Sequence, residues 1–531
     1  MAAGMKNRSI LGLAIFSSAL VTGGWLVEHG SRTAARDLPA RQHLFDEVLQ
    51  HVRRDYVDTL SDSTLYRHAV DGVLHELRDP HTVFLDPRRL GRLDESTSGH
   101  YAGVGIQMDV RDSGVTVVGT LPGSPAEEVG LVVGDRIVSI EGKPTVGLTS
   151  EEALKALRGA AGTTVHVAIA RPGVAERIPF TLTRRNIEVN PVQHASLVGD
   201  GVGYVNLTVF STAAANDLRS AIDSLRAAGA HSLVLDLRGD PGGLLGQGID
   251  VADLFLDAKQ PIVATKGRDA SETHAFDDRA AQRWPDMPIV VLTDSASASA
   301  SEIVAGALQD HDRAVIVGTA TYGKGSAQRV FRIDNGALKL TTALWYTPSG
   351  RSINRPRTPV TDDEDAAPPK TDSAPARPRF KTDAGRTVLG GGGIVPDVEV
   401  ATRAITRADR AFVAALGAKG PKFRDAVVDY ALSTKVAHTL RDSNFIVTPG
   451  MRDELFRRLQ ARGVTVGRSV YDAAAGLVDR AISSQLSRYV FGPQAEFARN
   501  LRDDPTMQRA MILLHGVRTP TELLGRVAVA K

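Results

Sequence analysis

The sequence predicts a multidomain α/β chain, with a small β-rich domain set ahead of an α/β core and helical regions at both ends. Three observations predict it. Apolar runs at Leu233–Leu237, Ile289–Leu292 and Val315–Val317 alternate with helical stretches between residues 201 and 350. That is the pattern of a buried, largely parallel sheet. Ahead of it, residues 99 to 183 break into short alternating strands punctuated by Pro-Gly and Gly-Asp turns. On the two flanks, apolar residues recur at helical spacing.

The chain opens with Lys6 and Arg8, then an uncharged run of 18 residues from Ile10 to Val27, closed by Glu28. A bilayer span needs about 20 apolar residues, with a lower limit near 17. A basic flank on the N-terminal side sets that side in the cytoplasm and the rest outside it. Residues 1–30 therefore read as a signal anchor, or as a signal peptide if cleaved. The anchor is preferred because no A-x-A site ends the run. The expected location is the cell envelope, on the periplasmic side of the inner membrane.

Residues 41–97 read as a helical N-terminal region. Leu44, Phe45, Val48, Leu49 and Val52 fall at helical spacing, and so do Leu65, Ala69, Val73, Leu74 and Leu77, until Asp79-Pro80 stops the pattern. The β-rich domain is placed at 98–184 and the α/β core at 190–354, rejoined by 390–400. Within the core a strand is expected over Val202–Val209 and a helix over Ala213–Ala228. Residues 355–389, rich in Pro, Ala and Asp, read as a mobile insertion. Residues 401–531 read as a helical C-terminal extension.

Composition excludes several classes. The formal net charge is +2, with basic residues interleaved among acids, so nothing calls for nucleic acid. With no cysteine there are no disulfides, thiolate metal sites or cysteine nucleophiles. No metal and no organic cofactor is expected.

In the β-rich domain, Gly103-Val104-Gly105-Ile106 stands where a glycine-bearing turn meets a strand. Consecutive backbone N–H groups can hold a carboxylate only where the chain approaches closely, which glycine permits. The strand that follows, Val104 to Met108, would be an edge able to pair with an extended peptide. A helix after Thr149-Ser150 would close the groove with Ala153, Leu154 and Leu157. Its start has Glu152 near Ser150, though not at strict capping-box spacing. With Pro122-Gly123-Ser124-Pro125-Ala126 and Gly130 to Ile137, the segment resembles a PDZ domain.

Two further spans carry chemistry: Asp294 to Ile303, a Ser/Ala run, and Thr321 to Gln328, which contains Gly323-Lys324-Gly325. Taken singly, the first is an ordinary tight turn and the second an ordinary surface loop. In context, each follows a buried strand, at the end where open α/β sheets place their sites. The Ser/Ala run also opens a helix, whose N-terminal N–H groups suit a developing oxyanion. A nucleophilic serine needs a base. Neither loop has a histidine, and His311, between Asp310 and Asp312, is expected to be exposed. Lysine serves if it is neutral, which requires burial and an uncharged partner to aim its amine. Gln328, four residues after Lys324, is the candidate. Gly318 to Lys324 also fits G-x-x-x-x-G-K, but Gly325 replaces the hydroxyl that binds magnesium and residues 328–333 read as a strand. A nucleotide site is set aside.

Several motifs, in one order, resemble the C-terminal processing peptidases, or tail-specific proteases, of family S41. They are Asp79-Pro80-His81-Thr82, the PDZ segment, Asp236-Leu237-Arg238-Gly239-Asp240-Pro241-Gly242-Gly243, the Ser-Ala-Ser-Ala-Ser-Glu-Ile run, the Gly-Lys-Gly loop with its glutamine, and Tyr346 to Ile353. The resemblance implies a serine endopeptidase with a Ser-Lys dyad. It implies Ser299 as nucleophile, with Ser301 the second choice in a run of alternating serines. It implies Lys324 as base, Gln328 as its orienting partner, and an oxyanion hole of the Ala300 N–H with that of Gly242 or Gly243. Family members usually have Asn where Asp240 stands. It further implies a protein or peptide substrate whose free C-terminus the PDZ domain captures. A homo-oligomer or an adaptor is compatible with the extra segments. The alternative from another class is a non-catalytic PDZ-containing envelope scaffold.

Overall fold

The computed structural model describes residues 39, 41–111, 114–334, 336–355, 377–401 and 403–529. The expected anchor at 1–30 lies outside the described residues. No helix among the described residues is long and apolar enough to cross a membrane.

The chain divides into two units. The first holds the N-terminal residues through Asp86 together with Arg329–Leu340. Its helices span 41–55 and Asp62–Glu76. The second helix turns Leu65 inward and leaves Tyr66, Val70, Val73 and Leu77 exposed. The Asp79-Pro80-His81-Thr82 turn closes on the Asp79 carboxylate, which accepts from the His81 N–H and the Thr82 hydroxyl. Val83–Leu85 then pairs antiparallel with Ala337–Lys339.

The second unit contains the β-rich domain, the core and the C-terminal helices. In the β-rich domain, the sheet is ordered so that Ile106–Arg111 is an edge, paired among the described residues only with Gly114–Thr120. The sequence predicts an edge strand over Val104 to Met108; the strand begins two residues later, at Ile106, and runs on to Arg111. The helix Ser150–Leu157 buries Ala153 and Leu157, while Leu154 is exposed, contrary to expectation. Residues 153 and 157 are one turn apart and share a face; 154 lies about 100° round from 153. The helix starts one residue earlier than read from sequence. Thr149 is its cap, and with Glu152 at the third helical position it forms the strict capping box that Ser150 lacks.

The core sheet runs β1 (Val192–Leu197), β2 (Val202–Leu207), β3 (Ser232–Asp236), β4 (Ile289–Thr293), β5 (Val315–Gly318) and β6 (Val398–Glu399), in that spatial order. Only β1–β2 is antiparallel. Strands β3, β4 and β5 are buried throughout, which is why they read as continuous apolar runs. Alternate residues feed two cores. Leu233, Leu235, Ile289, Val291 and Ile316 face helices α1 (Ala214–Ala227), α2 (Leu245–Asp253) and α3 (Ala300–Asp310). Val234, Val290, Leu292, Val315 and Val317 face α4 (Pro505–Leu514) and α5 (Pro520–Val529).

Two boundaries differ from expectation. The last two helices are no appendage, because they form the second layer over the sheet and a doubly apolar sheet needs both faces covered. The helices between Arg407 and Phe491 build their own core around Phe412, Leu455, Tyr471 and Ile482, whereas Phe497 and Leu501 of the helix Pro493–Arg502 join the core over the sheet. In the segment read as an insertion, residues 377–389 are ordered as a hairpin of Arg379–Lys381 with Thr387–Leu389. Arg386 ties it to Asp312 and Asp397, and Arg351 donates to Leu389 O. One apolar pair, Phe380 with Val388, faces across the hairpin, a signal too short to stand out beside the polar stretch before it. Residues 356–376 lie outside the described residues.

Candidate active site

The four alternating serines have different surroundings. Ser295 is exposed. Ser297 is buried, with its hydroxyl donating to Leu237 O at 2.8 Å. Ser301 is buried, its hydroxyl donating to Asp240 O at 3.0 Å. Ser299 alone is half-buried at the N-terminus of α3, with φ 57° and ψ −114°. A serine held in that region of backbone space costs about 1–3 kcal/mol, and such strain persists where the surroundings enforce it. Here they do. Ser297 and Ala298 are fixed to the turn after β3, the latter by its N–H on Asp240 O at 3.0 Å.

That turn, Asp240-Pro241-Gly242-Gly243, lies directly against Ser299. At Gly242, where φ is +89°, an added Cβ would stand 2.5 Å from Ala298 O and 2.8 Å from Ser299 Cβ. Only glycine fits. The Gly242 N–H donates to its own loop's Asp240 Oδ1 at 2.8 Å. Among the described residues, the N–H groups of Ala300 and Gly243 have no acceptor within the chain. Of the two glycines expected at an oxyanion site, Gly243 is thus the one with a donor to offer.

The lysine loop is joined to this turn through Glu302, on the first turn of α3. Its carboxylate is buried and accepts four hydrogen bonds. Oε1 takes the Thr321 hydroxyl at 2.5 Å and the Gly323 N–H at 2.6 Å. Oε2 takes the Ser299 N–H at 2.8 Å and the Lys324 N–H at 2.9 Å. Burial pushes the Glu302 carboxyl up from its usual range, and these donors pull it back. The Tyr322 N–H adds a bond to Ser297 O at 3.0 Å. Both glycines flanking Lys324 are tightly packed. A Cβ on Gly323 would meet Gly393 N at 2.9 Å, and Gly325 donates to Asn354 Oδ1 at 2.6 Å. Lys324 itself is half-buried.

Gln328 sits on the strand Ser326–Ile333, so the chain after Lys324 is a strand and not the helix that a phosphate loop needs. Its amide nitrogen donates to Ser326 Oγ at 2.9 Å and Thr341 Oγ1 at 3.2 Å. Those two bonds leave Oε1 as the end of the side chain able to receive an amine. His311 is not exposed as expected. Its side chain is 5% accessible, with Nδ1 on Asp383 Oδ2 and Nε2 on Pro261 O, both at 2.7 Å. It caps the far end of α3, a helix of 11 residues, about 18 Å from Ser299 by helical rise.

In the β-rich domain, Gly103 ends the strand His100–Gly103, which pairs with Arg185–Glu188. Val104 is buried, and its carbonyl accepts from the Ala126 N–H at 3.0 Å. Gly105 has φ +74°, and a Cβ there would lie 2.2 Å from Ser124 Cβ. Ile106 starts the edge strand. The expected peptide-binding residues are therefore contiguous at the mouth of that strand.

Known proteins are similar to parts of this chain. The Peptidase family S41 model matches residues 201–365 and a PDZ domain model matches residues 116–171. The carboxy-terminal-processing protease of Bartonella bacilliformis is 41% identical over 314 residues, covering 58% of this chain and 71% of that protein. Carboxy-terminal processing protease CtpA of Bacillus subtilis is 31% identical, covering 65% of this chain and 74% of that one. The chain belongs to peptidase family S41. Among solved structures, photosystem II D1 C-terminal processing protease is 28% identical with a TM-score of 0.35, covering 66% of this chain and 85% of that one. The family models and the curated relatives make the protein a C-terminal processing protease with an internal PDZ domain.

Sequence reasoning missed two parts of this S41 site. Glu302 served there only as a mark of register, although Ser299-Ala300-Ser301-Glu302 has the S-x-x-E spacing that turns a glutamate back onto the cap N–H. Arg238 was missed as a brace. It pairs with Asp236 at 2.7 Å and with Asp504 at 2.5 Å, the residue that caps α4. Tyr204 donates to the same Asp236 at 2.8 Å. The end of β3, from which the glycine turn springs, is thereby held by the chain's last helical layer.

Proposed function

We propose that this protein is a serine endopeptidase that cuts protein substrates near their C-termini, with Ser299 as nucleophile and Lys324 as general base. The observation that carries the reading is the Glu302 carboxylate, whose Oε2 holds the Ser299 N–H at 2.8 Å and the Lys324 N–H at 2.9 Å. One buried atom thus fixes both residues' backbones.

Ser299 Oγ attacks the scissile carbonyl carbon and passes its proton to a neutral Lys324 amine. The oxyanion forms against the Ala300 and Gly243 N–H groups, aided by the N-terminal end of α3. Lys324 returns the proton to the leaving amine, the C–N bond breaks, and an acyl-enzyme on Ser299 remains. Water, deprotonated by Lys324, releases it. Gln328 Oε1 aims the amine. The PDZ segment from Gly103 to Ile106 receives the substrate's terminal carboxylate, and the edge strand Ile106–Arg111 pairs with the residues before it. We place the activity on the envelope side of a membrane, through the apolar run Ile10–Val27.

The test is cleavage of an unfolded protein such as casein by the full chain, beside Ser299→Ala, Ser301→Ala and Lys324→Ala. The parent should cleave, S299A and K324A should not, and K324A should still bind a C-terminal peptide. Turnover by K324A would remove the dyad. A dead S301A beside an active S299A would move the nucleophile by two residues.

A further inference from the structure

Asp240 presents an unusual carboxyl group. It is fully buried in the turn that packs on Ser299, and its Oδ1 accepts the Gly242 N–H at 2.8 Å. Its Oδ2 is buried with no hydrogen-bond partner among the described residues. Its main-chain oxygen is used separately, by the Ala298 N–H and the Ser301 hydroxyl. Among the described residues, Asp240 forms no ion pair. Asp294 receives the Gly239 N–H, Asp236 is bound by Arg238 and Tyr204, Arg238 also faces Asp504, and Glu302 faces the loop of Lys324. A buried carboxylate with one oxygen unpaired is costly, whereas the neutral acid in the same place is much less so.

We propose that Asp240 is a positioning residue that works as a neutral carboxylic acid, holding the Gly242-Gly243 turn in the shape that receives the oxyanion. The inference rests on the reading of Ser299 as nucleophile. Oδ1 anchors the Gly242 N–H, which sets Gly242 against Ser299 and leaves the Gly243 N–H for the reacting carbonyl oxygen. An ionised Asp240 places a second negative charge beside the oxyanion and brings an unsatisfied anion into a dry turn. Its ionisation therefore switches the site off. Burial pushes the carboxyl up to about 8, only partly countered by the Gly242 N–H.

The experiment compares kcat/KM against pH for the full chain and for Asp240→Asn, which keeps an acceptor for Gly242 and cannot ionise. The parent should lose rate above pH 8 while D240N does not, so their ratio should move about tenfold for each pH unit beyond that point. An independent readout is the infrared carbonyl stretch of a protonated acid at pH 7, present in the parent and absent from D240N. The same alkaline limb in both proteins, or no difference band, overturns the proposal. If the parent shows the band but cleaves nothing, the protease reading fails and the neutral Asp240 stands as a feature of the turn.

Discussion

Replacing Glu302 by glutamine changes one oxygen to an amide nitrogen and removes a charge, with almost no change in volume. In the parent, two donors converge on each carboxylate oxygen: Thr321 and Gly323 on one, Ser299 and Lys324 on the other. The glutamine can serve one pair only. Its NH2 group must then face the other pair, donor against donor. A hydrogen bond to a charged group contributes about 1.5–3 kcal/mol, and losing two puts the local cost at about 3–6 kcal/mol. The sheet does not depend on these bonds, so the loss falls on the alignment of the two loops. At 1.36 kcal/mol per decade, a cost of that size realised in the transition state lowers kcat by at least about 100-fold. The assay is kcat and KM on a peptide substrate, with thermal unfolding and C-terminal peptide binding measured on the same sample. We expect kcat to fall, KM and peptide binding to hold, and unfolding to remain one cooperative transition. An E302Q enzyme within threefold of the parent kcat would refute the reasoning, since the four bonds would then not align the site.

Gly242→Ala meets Ala298 O and Ser299 Cβ within 2.8 Å at a backbone angle of +89°, so the turn must shift. Loss of one oxyanion donor costs about 100- to 1,000-fold in kcat, and that is the expected effect by steady-state kinetics. Gly105→Ala places its Cβ 2.2 Å from Ser124 Cβ. It should weaken C-terminal peptide binding measured by fluorescence anisotropy and destabilise the PDZ domain by about 3 kcal/mol. In stability, Asp240 binds a proton in the folded chain between the ordinary carboxylate range and about 8. Its contribution is full below the unfolded pKa and is lost as pH rises through about 8. D240N should therefore gain in Tm over the parent as pH is raised across that window, and a pH-independent difference would contradict this.

Much of the fold was legible because its signals are local. The buried strands read as apolar runs, the capping residues stand next to the helices they start, and Gly103 to Ile106 are contiguous. Boundaries failed where a neighbour in sequence gave the wrong cue. Ser150 looked like a cap and Thr149 is one. His311 looked exposed among aspartates, yet Asp383 and Pro261 cover it from other segments. The last two helices read as an amphipathic tail, and nothing local told that their apolar stripes meet Val290, Leu292 and Val317.

The sequence by itself determined the family motifs, the order of the domains, and the presence of a serine run and a Gly-Lys-Gly loop after parallel strands. In the run of four alternating serines, the family resemblance pointed to Ser299, with Ser301 second. The tertiary structure gives their surroundings, burying Ser297 and Ser301 against main-chain carbonyls and leaving Ser299 half-open in a strained turn. It alone brought Thr321, Gly323 and Lys324 onto Glu302, and Asp504 onto Arg238. The reason is physical. Helix and strand patterns are set by neighbours a few residues apart, whereas burial and charge pairing are set by groups that meet only when the sheet is covered on both faces.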